Sequence, residues 1–152
     1  MVNFTPSFKK DSEDKRIRYE LVTKYMTTNV ISFTPEQEVQ EVIDIIIANK
    51  ISGAPVLNSK KELIGIISEK DCLRLIIDNA YHNLETSLRQ VSSYMSKDVK
   101  TVSADMDVVD VANKFLLSNF RRYPVVDNGK FIGLISRRDI LKAAKEVKKT
   151  TL

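Results

Sequence analysis

The chain has 152 residues, of which 43% are hydrophobic and 29% charged, as is ordinary for a soluble globular protein of one domain or a tight pair. Its 24 basic and 20 acidic residues leave a formal net charge of +4, a mild excess compatible with a phosphate-bearing small molecule or a weak nucleic-acid encounter. The first residues lack the apolar core of a signal peptide, and no stretch approaches the roughly 18 apolar residues of a membrane span, so a cytoplasmic protein without a membrane partner is expected.

The first elements are predicted from charge and apolar spacing. Residues 1–15 are polar and mixed in charge, so residues 1–19 are predicted to be a flexible segment with the start of a lead-in helix over residues 17–25. Residues 30–33 are predicted to be a short strand, and Pro35 and Glu36 to begin a helix, because both residue types favour a helix N-terminus. Spacing of 0, 3, 4, 7 and 8 predicts one buried stripe on this helix: Val39, Val42, Ile43, Ile46 and Ile47.

The second half of the chain repeats the first. Through most of the repeat, matching residues lie 69 positions apart, as for Met26 and Met95 (95 − 26 = 69). One turn is a residue shorter in the second repeat, so the matching residues after it lie 68 positions apart. Internal duplication explains this order better than chance. The matches are Tyr25-Met26 with Tyr94-Met95, Pro55 with Pro124, Ser68 with Ser136, Asp71 with Asp139, and a second stripe at Val108, Val111, Ala112, Phe115 and Leu116.

Each repeat is predicted to be strand, helix, strand, strand, helix (βαββα), which makes the fold class α/β (α+β). The strands are nearly continuous apolar runs, which indicates burial on both faces. Cys72, the only cysteine, is expected to be a small buried thiol, and the lone His82 a surface residue rather than a metal ligand. The predicted domains are residues 20–78 for the first repeat, 79–93 for a linker or helix, 94–146 for the second repeat and 147–152 for a basic tail.

Each repeat places Ser-x-x-Asp between its last strand and its last helix: Ser68 with Asp71, and Ser136 with Asp139. One interpretation is a capping box, in which the serine and the carboxylate satisfy free amides at the helix N-terminus and need no ligand. The other is a ligand contact, because a carboxylate fixed at this junction can accept hydrogen bonds from two adjacent hydroxyls, as on a ribose. Repetition in the same context favours the ligand contact, but the residues alone leave both interpretations open.

Three features carry the doubled pattern over residues 20–146: the two Tyr-Met pairs, Gly53-Ala54-Pro55-Val56 with Arg122-Tyr123-Pro124-Val125-Val126-Asp127, and the two Gly-x-Ile-Ser-x-x-Asp segments. This pattern resembles a tandem pair of cystathionine-beta-synthase (CBS) domains, packed as a Bateman module. The resemblance implies two repeats packed through their sheets about a pseudo-twofold axis, with two clefts that bind AMP, ADP, ATP or S-adenosylmethionine as regulatory ligands. It also implies a homodimer that acts on an effector protein, with no required cofactor and no effector domain on this chain.

Carried onto this sequence, the resemblance implies one ligand site in each cleft. In the second cleft, Asp139 would bind the ribose hydroxyls and Ser136 would lie near the ribose or phosphate. Taken singly, Tyr123, Phe33 and Val102 fit the core better than an adenine wall. The residues implied to border the adenine are Thr101, Val102, Tyr123 and Pro124, and the matching set in the other cleft is Asp71, Ser68, Ser32, Phe33, Ala54 and Pro55.

Four arginines favour the second site for a phosphorylated ligand. Guanidinium groups bind phosphate bidentately and keep their charge, whereas Glu69 in the first repeat would repel it. Arg122 and Arg137 are therefore candidate ligand contacts, and ordinary solvated charge is the alternative. The second repeat has Arg121, Arg122, Arg137 and Arg138 where the first has Ser52, Gly53, Glu69 and Lys70.

Four classes of function follow from these patterns. A nonenzymatic sensor of adenine nucleotides, as in energy sensing, is the leading hypothesis, and a ligand-free structural or dimerisation scaffold is the alternative. An enzyme is disfavoured, since one His, one Cys and four scattered glycines supply no nucleophilic triad, Walker loop or dinucleotide fingerprint, so no catalytic or metal-binding residue is predicted. Specific nucleic-acid binding is not expected, because the sequence shows no recognition helix and no array of aromatic residues that could stack on bases.

Overall fold

The computed structural model describes residues 20–82 and 89–151, with side chains up to residue 146. Contacts between residues divide the chain into two compact units. The Asp71 unit contains residues 29–82, 89–100 and 128–131, and the Asp139 unit contains residues 20–28, 101–127 and 132–151. Within these described residues, no helix is both long and apolar enough to cross a membrane.

The Asp71 unit has a two-stranded antiparallel sheet and three helices. Strand β1 (Gly53–Leu57) pairs with β2 (Leu63–Ser68), and the helices are α1 (Val39–Asn49), α2 (Glu69–His82) and α3 (Val91–Tyr94). Three consecutive residues at the centre of β1 are buried, so both faces of this strand are covered, as its apolar run predicts. The core includes Val39, Val42, Ile46, Val56, Ile67 and Leu75.

The Asp139 unit has a three-stranded sheet in the order β3-β4-β5. Strand β3 (Val102–Ser103) runs parallel to β4 (Arg122–Asp127), which neighbours β5 (Lys130–Ser136). Helix α4 (Val108–Leu116) connects β3 to β4, and α5 (Arg137–Thr151) follows β5 directly. Its core includes Val22, Val102, Val111, Phe115, Tyr123, Val125 and Ile135.

The α/β fold class and the βαββα order are confirmed, but the strand predicted at residues 30–33 is wrong in extent. Only Phe33 pairs, through a parallel bridge to Val56. The Phe33 amide donates to the Pro55 carbonyl at 2.9 Å, and the Leu57 amide donates to the Phe33 carbonyl at 2.8 Å. Continuing the ladder to residue 31 would require an amide donor on Pro55, which has none, so the pairing stops there.

The first long helix begins at Val39 rather than at the predicted Pro35. Residues 34–37 form a turn in which the Thr34 amide donates to Gln37 Oε1 at 2.8 Å and the Gln37 amide donates to the Thr34 carbonyl at 3.3 Å. Pro35 and Glu36 are the two central residues of this turn. Proline suits the second position of a turn as well as it suits the first position of a helix, which is why the sequence alone misplaced the start.

In both predicted helical stripes the first, second and fourth positions are buried and the third is half-buried, but the last position is exposed. Ile47 is 70% exposed and Leu116 is 84% exposed. A helix turns by about 100° per residue, so a residue eight positions after the first lies about 80° around the helix from it. These two residues therefore lie at the flank of the stripe rather than on the sheet.

The Tyr-Met segments at the start of each repeat do not pack with the strands that follow them in sequence. Tyr25 and Met26 pack on the core of the Asp139 unit, whereas Tyr94 and Met95 pack on the core of the Asp71 unit. Backbone pairs secure the two segments: Thr27 with Leu134 at 2.8 and 2.9 Å, and Ser96 with Ile66 at 2.8 and 2.9 Å. The compact units therefore differ from the sequence repeats, because each repeat contributes its opening segment to the other unit.

These backbone pairs explain the glycine of each Gly-x-Ile-Ser-x-x-Asp segment. A Cβ added at Gly133 would lie 2.7 Å from the Thr27 carbonyl oxygen, and one added at Gly65 would lie 2.9 Å from the Ser96 carbonyl oxygen. Both distances are shorter than van der Waals contact, and the atoms opposite belong to paired backbone. Glycine is thus required here by the close approach of a second chain segment.

We expect Gly133→Ala to lower the free energy of unfolding by about 1–3 kcal/mol, the usual cost of an extra methyl group in a well-packed site. Urea denaturation followed by circular dichroism measures this change. A loss of less than about 0.5 kcal/mol, as for an ordinary surface substitution, would show that the Thr27 backbone can move away.

Some predictions fall at the edges of the described residues. Helix α2 continues to the exposed His82, four residues into the segment predicted as a linker or helix, and α5 continues through residues 147–151, predicted as a basic tail. Of the predicted lead-in helix, the structure has a 3₁₀ turn at Val22–Lys24. Residues 1–19, with the predicted flexible segment, and residues 83–88 lie outside the described residues.

Candidate functional site

The Ser-x-x-Asp motifs form the two predicted capping boxes, which are confirmed. In the Asp139 unit, the Ser136 amide donates to Asp139 Oδ2 at 2.8 Å and the Asp139 amide donates to Ser136 Oγ at 3.1 Å. In the Asp71 unit, the equivalent distances between Ser68 and Asp71 are 2.8 and 3.3 Å. Each carboxylate is therefore fixed in the first turn of a long helix, where a negative charge interacts favourably with the helix dipole.

Both oxygens of the Asp71 carboxylate have hydrogen-bond partners within its own unit. Its Oδ2 accepts hydrogen bonds from both the amide and the hydroxyl of Ser68, at 2.8 and 2.9 Å. Its Oδ1 accepts from Arg74 Nη1 at 3.0 Å, in an ion pair one helical turn further on. Among the residues that the structure describes, Asp71 is the one buried residue with a charged side chain, with 6% of its surface exposed. The capping box and the ion pair with Arg74 together give both carboxylate oxygens a partner without a ligand.

The Asp139 carboxylate differs, because one of its oxygens has no partner among the described residues. Oδ2 accepts from the Ser136 amide, and Oδ1 accepts from no donor in the described part of the chain. Lys142 occupies the position that corresponds to Arg74, and no ion pair joins it to Asp139. Asp139 is half-buried. The unit thus presents a rigid carboxylate with an open hydrogen-bond acceptor.

Arg137 and Arg138 directly precede this carboxylate in sequence, and all four arginines of the second repeat are exposed. The Arg137 amide donates to the Arg121 carbonyl at 3.2 Å, which joins the start of α5 to the start of β4. Arg137 Nη2 reaches the Ser118 carbonyl at 3.5 Å, and no salt bridge within the described residues neutralises Arg121, Arg122, Arg137 or Arg138. The start of α5 is therefore positively charged beside a single carboxylate.

Tyr123 lies in the core, as its alternative interpretation expects. The ring is 2% exposed, its centroid is 4.8 Å from that of Phe115, and Phe120 meets it edge-on at 5.6 Å. Its hydroxyl donates to Ser118 Oγ at 2.7 Å. Any contact of Tyr123 with a ligand would have to come from its backbone.

The other residues implied at the adenine are the half-buried Thr101 and the buried Val102 and Pro124. Parallel pairing of β3 with β4 aligns Val102 with Val125, which brings Thr101 and Pro124 to the same end of the sheet. Lys114 Nζ donates to the Thr101 carbonyl and lies 5.3 Å from the centroid of the Tyr123 ring. This cation anchors the strand end that carries Thr101.

The equivalent residues of the Asp71 unit are also mostly buried. Phe33 is 2% exposed and Ala54 5% exposed, Pro55 is buried, and only Ser32 is exposed. Phe33 packs in the core, as its alternative interpretation expects.

Cys72 follows Asp71 and is 5% exposed, so the predicted small buried thiol is confirmed. Burial, and next to it the charge of Asp71, raises the pKa of the Cys72 thiol, which keeps it protonated and unreactive. Within the described residues, no group of His, Cys, Asp and Glu side chains has the arrangement of a metal site.

Sequence reasoning overlooked Arg74 and Lys114. Arg74 follows Asp71 by three residues on a helix, a spacing at which opposite charges pair, and that signal could have identified the contact. Lys114 corresponds to Ile45 in the first repeat, so it interrupts an otherwise apolar pattern. Both residues distinguish one unit from the other.

Comparison with known proteins identifies the same two repeats. A family model of the CBS domain matches residues 22–78 and again residues 91–146. Among curated proteins, the chain is 30% identical over 123 residues to the uncharacterized protein MJ1225 of Methanocaldococcus jannaschii, which covers 81% of this chain and 42% of that protein. It is 31% identical over 137 residues to the uncharacterized protein MJ1426 of the same organism, covering 71% of this chain and 82% of that protein.

An inosine-5'-monophosphate dehydrogenase of Aquifex aeolicus is 34% identical over 126 residues, which is 79% of this chain but 24% of that enzyme. Among solved structures, CBSX2 of Arabidopsis thaliana in complex with AMP has a TM-score of 0.72 at 28% identity, covering 85% of this chain and 98% of that one. Because the family model matches both repeats and the fold agrees with a solved pair of such domains, the chain belongs to the CBS domain family and carries two CBS repeats in tandem.

Proposed function

We propose that this chain is a nonenzymatic regulatory module that binds an adenosine-containing small molecule through the Asp139 unit. The ligand classes are AMP, ADP, ATP and S-adenosylmethionine. The observation that carries the proposal is the Asp139 carboxylate, which its capping box holds rigid while Oδ1 stays open to a donor. A carboxylate in this state suits the two adjacent hydroxyls of a ribose, which need acceptors and gain from a charged one.

The charge around Asp139 supports a phosphorylated ligand. Arg122 and Arg137 are exposed and unpaired by any carboxylate in the described residues, and both belong to the unit that holds Asp139. Guanidinium groups bind phosphate oxygens bidentately. AMP, ADP and ATP are therefore favoured over S-adenosylmethionine, whose methionine part carries no phosphate.

The end of the sheet in the same unit supports an adenine. Thr101 and Pro124 lie together at the end of paired strands, with Val102 beneath them in the core. Backbone groups at such strand ends can hydrogen-bond an adenine edge, while the apolar residues exclude water. The solved complex of CBSX2 with AMP, at 28% identity, also supports an adenine nucleotide.

Signalling to a partner is part of the proposal. A ligand that binds one arrangement of the two units more tightly than another would shift the population between them, and an effector protein would respond to that shift. A homodimer and a cytoplasmic location complete the proposal. The match to inosine-5'-monophosphate dehydrogenase covers 24% of that enzyme, so its activity does not carry over to this chain.

Titration tests the proposal directly. AMP, ADP, ATP and S-adenosylmethionine are added separately to the purified chain, with calorimetry as the first readout and thermal or chemical unfolding as the second. A ligand at 100 times its dissociation constant should stabilise the folded state by about 2.7 kcal/mol. If none of the four gives heat or stabilisation, the sensor is rejected.

The second candidate is a ligand-free scaffold, and the Asp71 unit favours it. There the capping box and Arg74 give both carboxylate oxygens a partner without a ligand. A scaffold predicts the same oligomeric state with and without nucleotide, whereas the sensor predicts a change in packing or dimerisation. Sedimentation velocity, run with and without each ligand, distinguishes them.

A further inference from the structure

The two carboxylates match in sequence but differ in how many acceptor positions remain. An ionised carboxylate offers about four lone-pair positions for hydrogen bonds. The Ser68 amide and hydroxyl use two positions on Asp71, and Arg74 uses a third. Only the Ser136 amide uses a position on Asp139. Within the described residues, Asp71 keeps about one open position and Asp139 about three.

A ribose diol brings two hydroxyl donors, so a carboxylate that binds it needs two open positions. Asp139 meets this requirement with its geometry unchanged. Asp71 falls short by one, and Arg74 holds the position that would complete the pair. Releasing Arg74 would restore two open positions.

Both the chemistry and the position of Arg74 suit it to occupying an acceptor position on the Asp71 carboxylate. Its guanidinium is permanently charged, and its rigid fork of donors matches a carboxylate better than an ammonium does. The side chain is 61% exposed, yet it contacts a carboxylate whose own side chain is only 8% exposed. The equivalent residue beside Asp139 is Lys142, which forms no such pair.

We infer that Arg74 closes the Asp71 carboxylate to ligands, so that each chain binds a single adenosine compound, in the Asp139 unit. This inference rests on the proposed function and specifies its stoichiometry. Arg74 acts as a built-in competitor: its guanidinium donates to the oxygen that a ribose hydroxyl would otherwise use.

The experiment is calorimetric titration of the full chain with AMP, ADP, ATP and S-adenosylmethionine. The wild type should bind one molecule per chain, and Asp139→Asn should weaken that event about 10- to 100-fold. Arg74→Gln keeps a good helix former and removes the competing charge, so a second binding event should appear. Lys142→Gln is the matched control at the equivalent helix position, and it should leave one event.

A double variant identifies where the second ligand binds. Adding Asp71→Asn to Arg74→Gln should remove the new event and keep the first. Two events in the wild type would overturn the inference and leave the proposed function standing. A single event lost with Asp71→Asn instead of Asp139→Asn would overturn the inference and also the assignment of the ligand to the Asp139 unit. One event in folded Arg74→Gln would also overturn it. No binding by the wild type with any of the four ligands would refute the proposed function itself.

Discussion

Replacing Asp139 with Asn should weaken nucleotide binding about 10- to 100-fold, because each hydrogen bond to a charged acceptor contributes about 1.5–3 kcal/mol. The asparagine carbonyl can still accept from the Ser136 amide, which now donates to Asp139 Oδ2 at 2.8 Å. The capping box therefore survives in part, and the free energy of unfolding should fall by no more than about 1 kcal/mol. The substitution therefore distinguishes the contribution of Asp139 to ligand binding from its contribution to the helix cap.

The two effects are measured on the same variant, by calorimetry for affinity and by urea denaturation for stability. Asp127→Asn is the matched control, since Asp127 is an exposed carboxylate at the end of β4 in the same unit. It should alter neither quantity appreciably. If Asp139→Asn lowers stability and affinity to the same extent, the carboxylate serves the fold and the scaffold is favoured.

Removing residues 20–28 should destabilise the Asp139 unit, although this segment continues directly into the Asp71 unit. Val22 is fully buried, and Tyr25 and Met26 pack partly buried against the same core. Burial of one large apolar side chain is worth about 1.5–3 kcal/mol, so the loss should be about 3–6 kcal/mol. The reference is a chain that lacks only residues 1–19, so the comparison isolates the nine residues removed.

Amide hydrogen exchange shows which unit is affected. The Leu134 amide donates to the Thr27 carbonyl at 2.9 Å and should lose its protection when residues 20–28 are absent. The Ile66 amide donates to the Ser96 carbonyl at 2.9 Å and should lose less. Greater loss at Ile66 than at Leu134 would contradict the assignment of this segment to the Asp139 unit.

Local features of the fold and site were predictable from sequence. A capping box closes between residues three positions apart, so Ser136 and Asp139 determine it almost independently of the rest of the chain. The βαββα order was predictable for a similar reason, because apolar spacing and turn residues report on each element separately. Because the sequence is duplicated, the same order of elements could be predicted from each repeat.

The remaining features depend on contacts between distant residues. The apolar residues near Met26 and Met95 indicate that both segments are buried. They do not indicate on which core each segment packs, because the strand with Gly65 and the strand with Gly133 could each accept either segment. Burial of Tyr123 depends on Phe115 and Phe120, which reach it only in the folded unit.

The asymmetry between the carboxylates is the other such feature. Arg74 and Lys142 both follow a carboxylate by three residues, so spacing predicts a pair in each unit. Only Arg74 forms one among the described residues, because the choice depends on the geometry of the guanidinium and on how each side chain is packed.

The central claim is that Asp139 accepts hydrogen bonds from ribose hydroxyls. Its most direct test is a thermodynamic cycle by calorimetry, in which AMP and 2′,3′-dideoxy-AMP each bind the wild type and Asp139→Asn. The wild type should prefer AMP about 10- to 100-fold, and the variant should bind the two ligands almost equally. An equally strong preference for AMP in the variant would contradict the claim, because the hydroxyls would then be bound elsewhere.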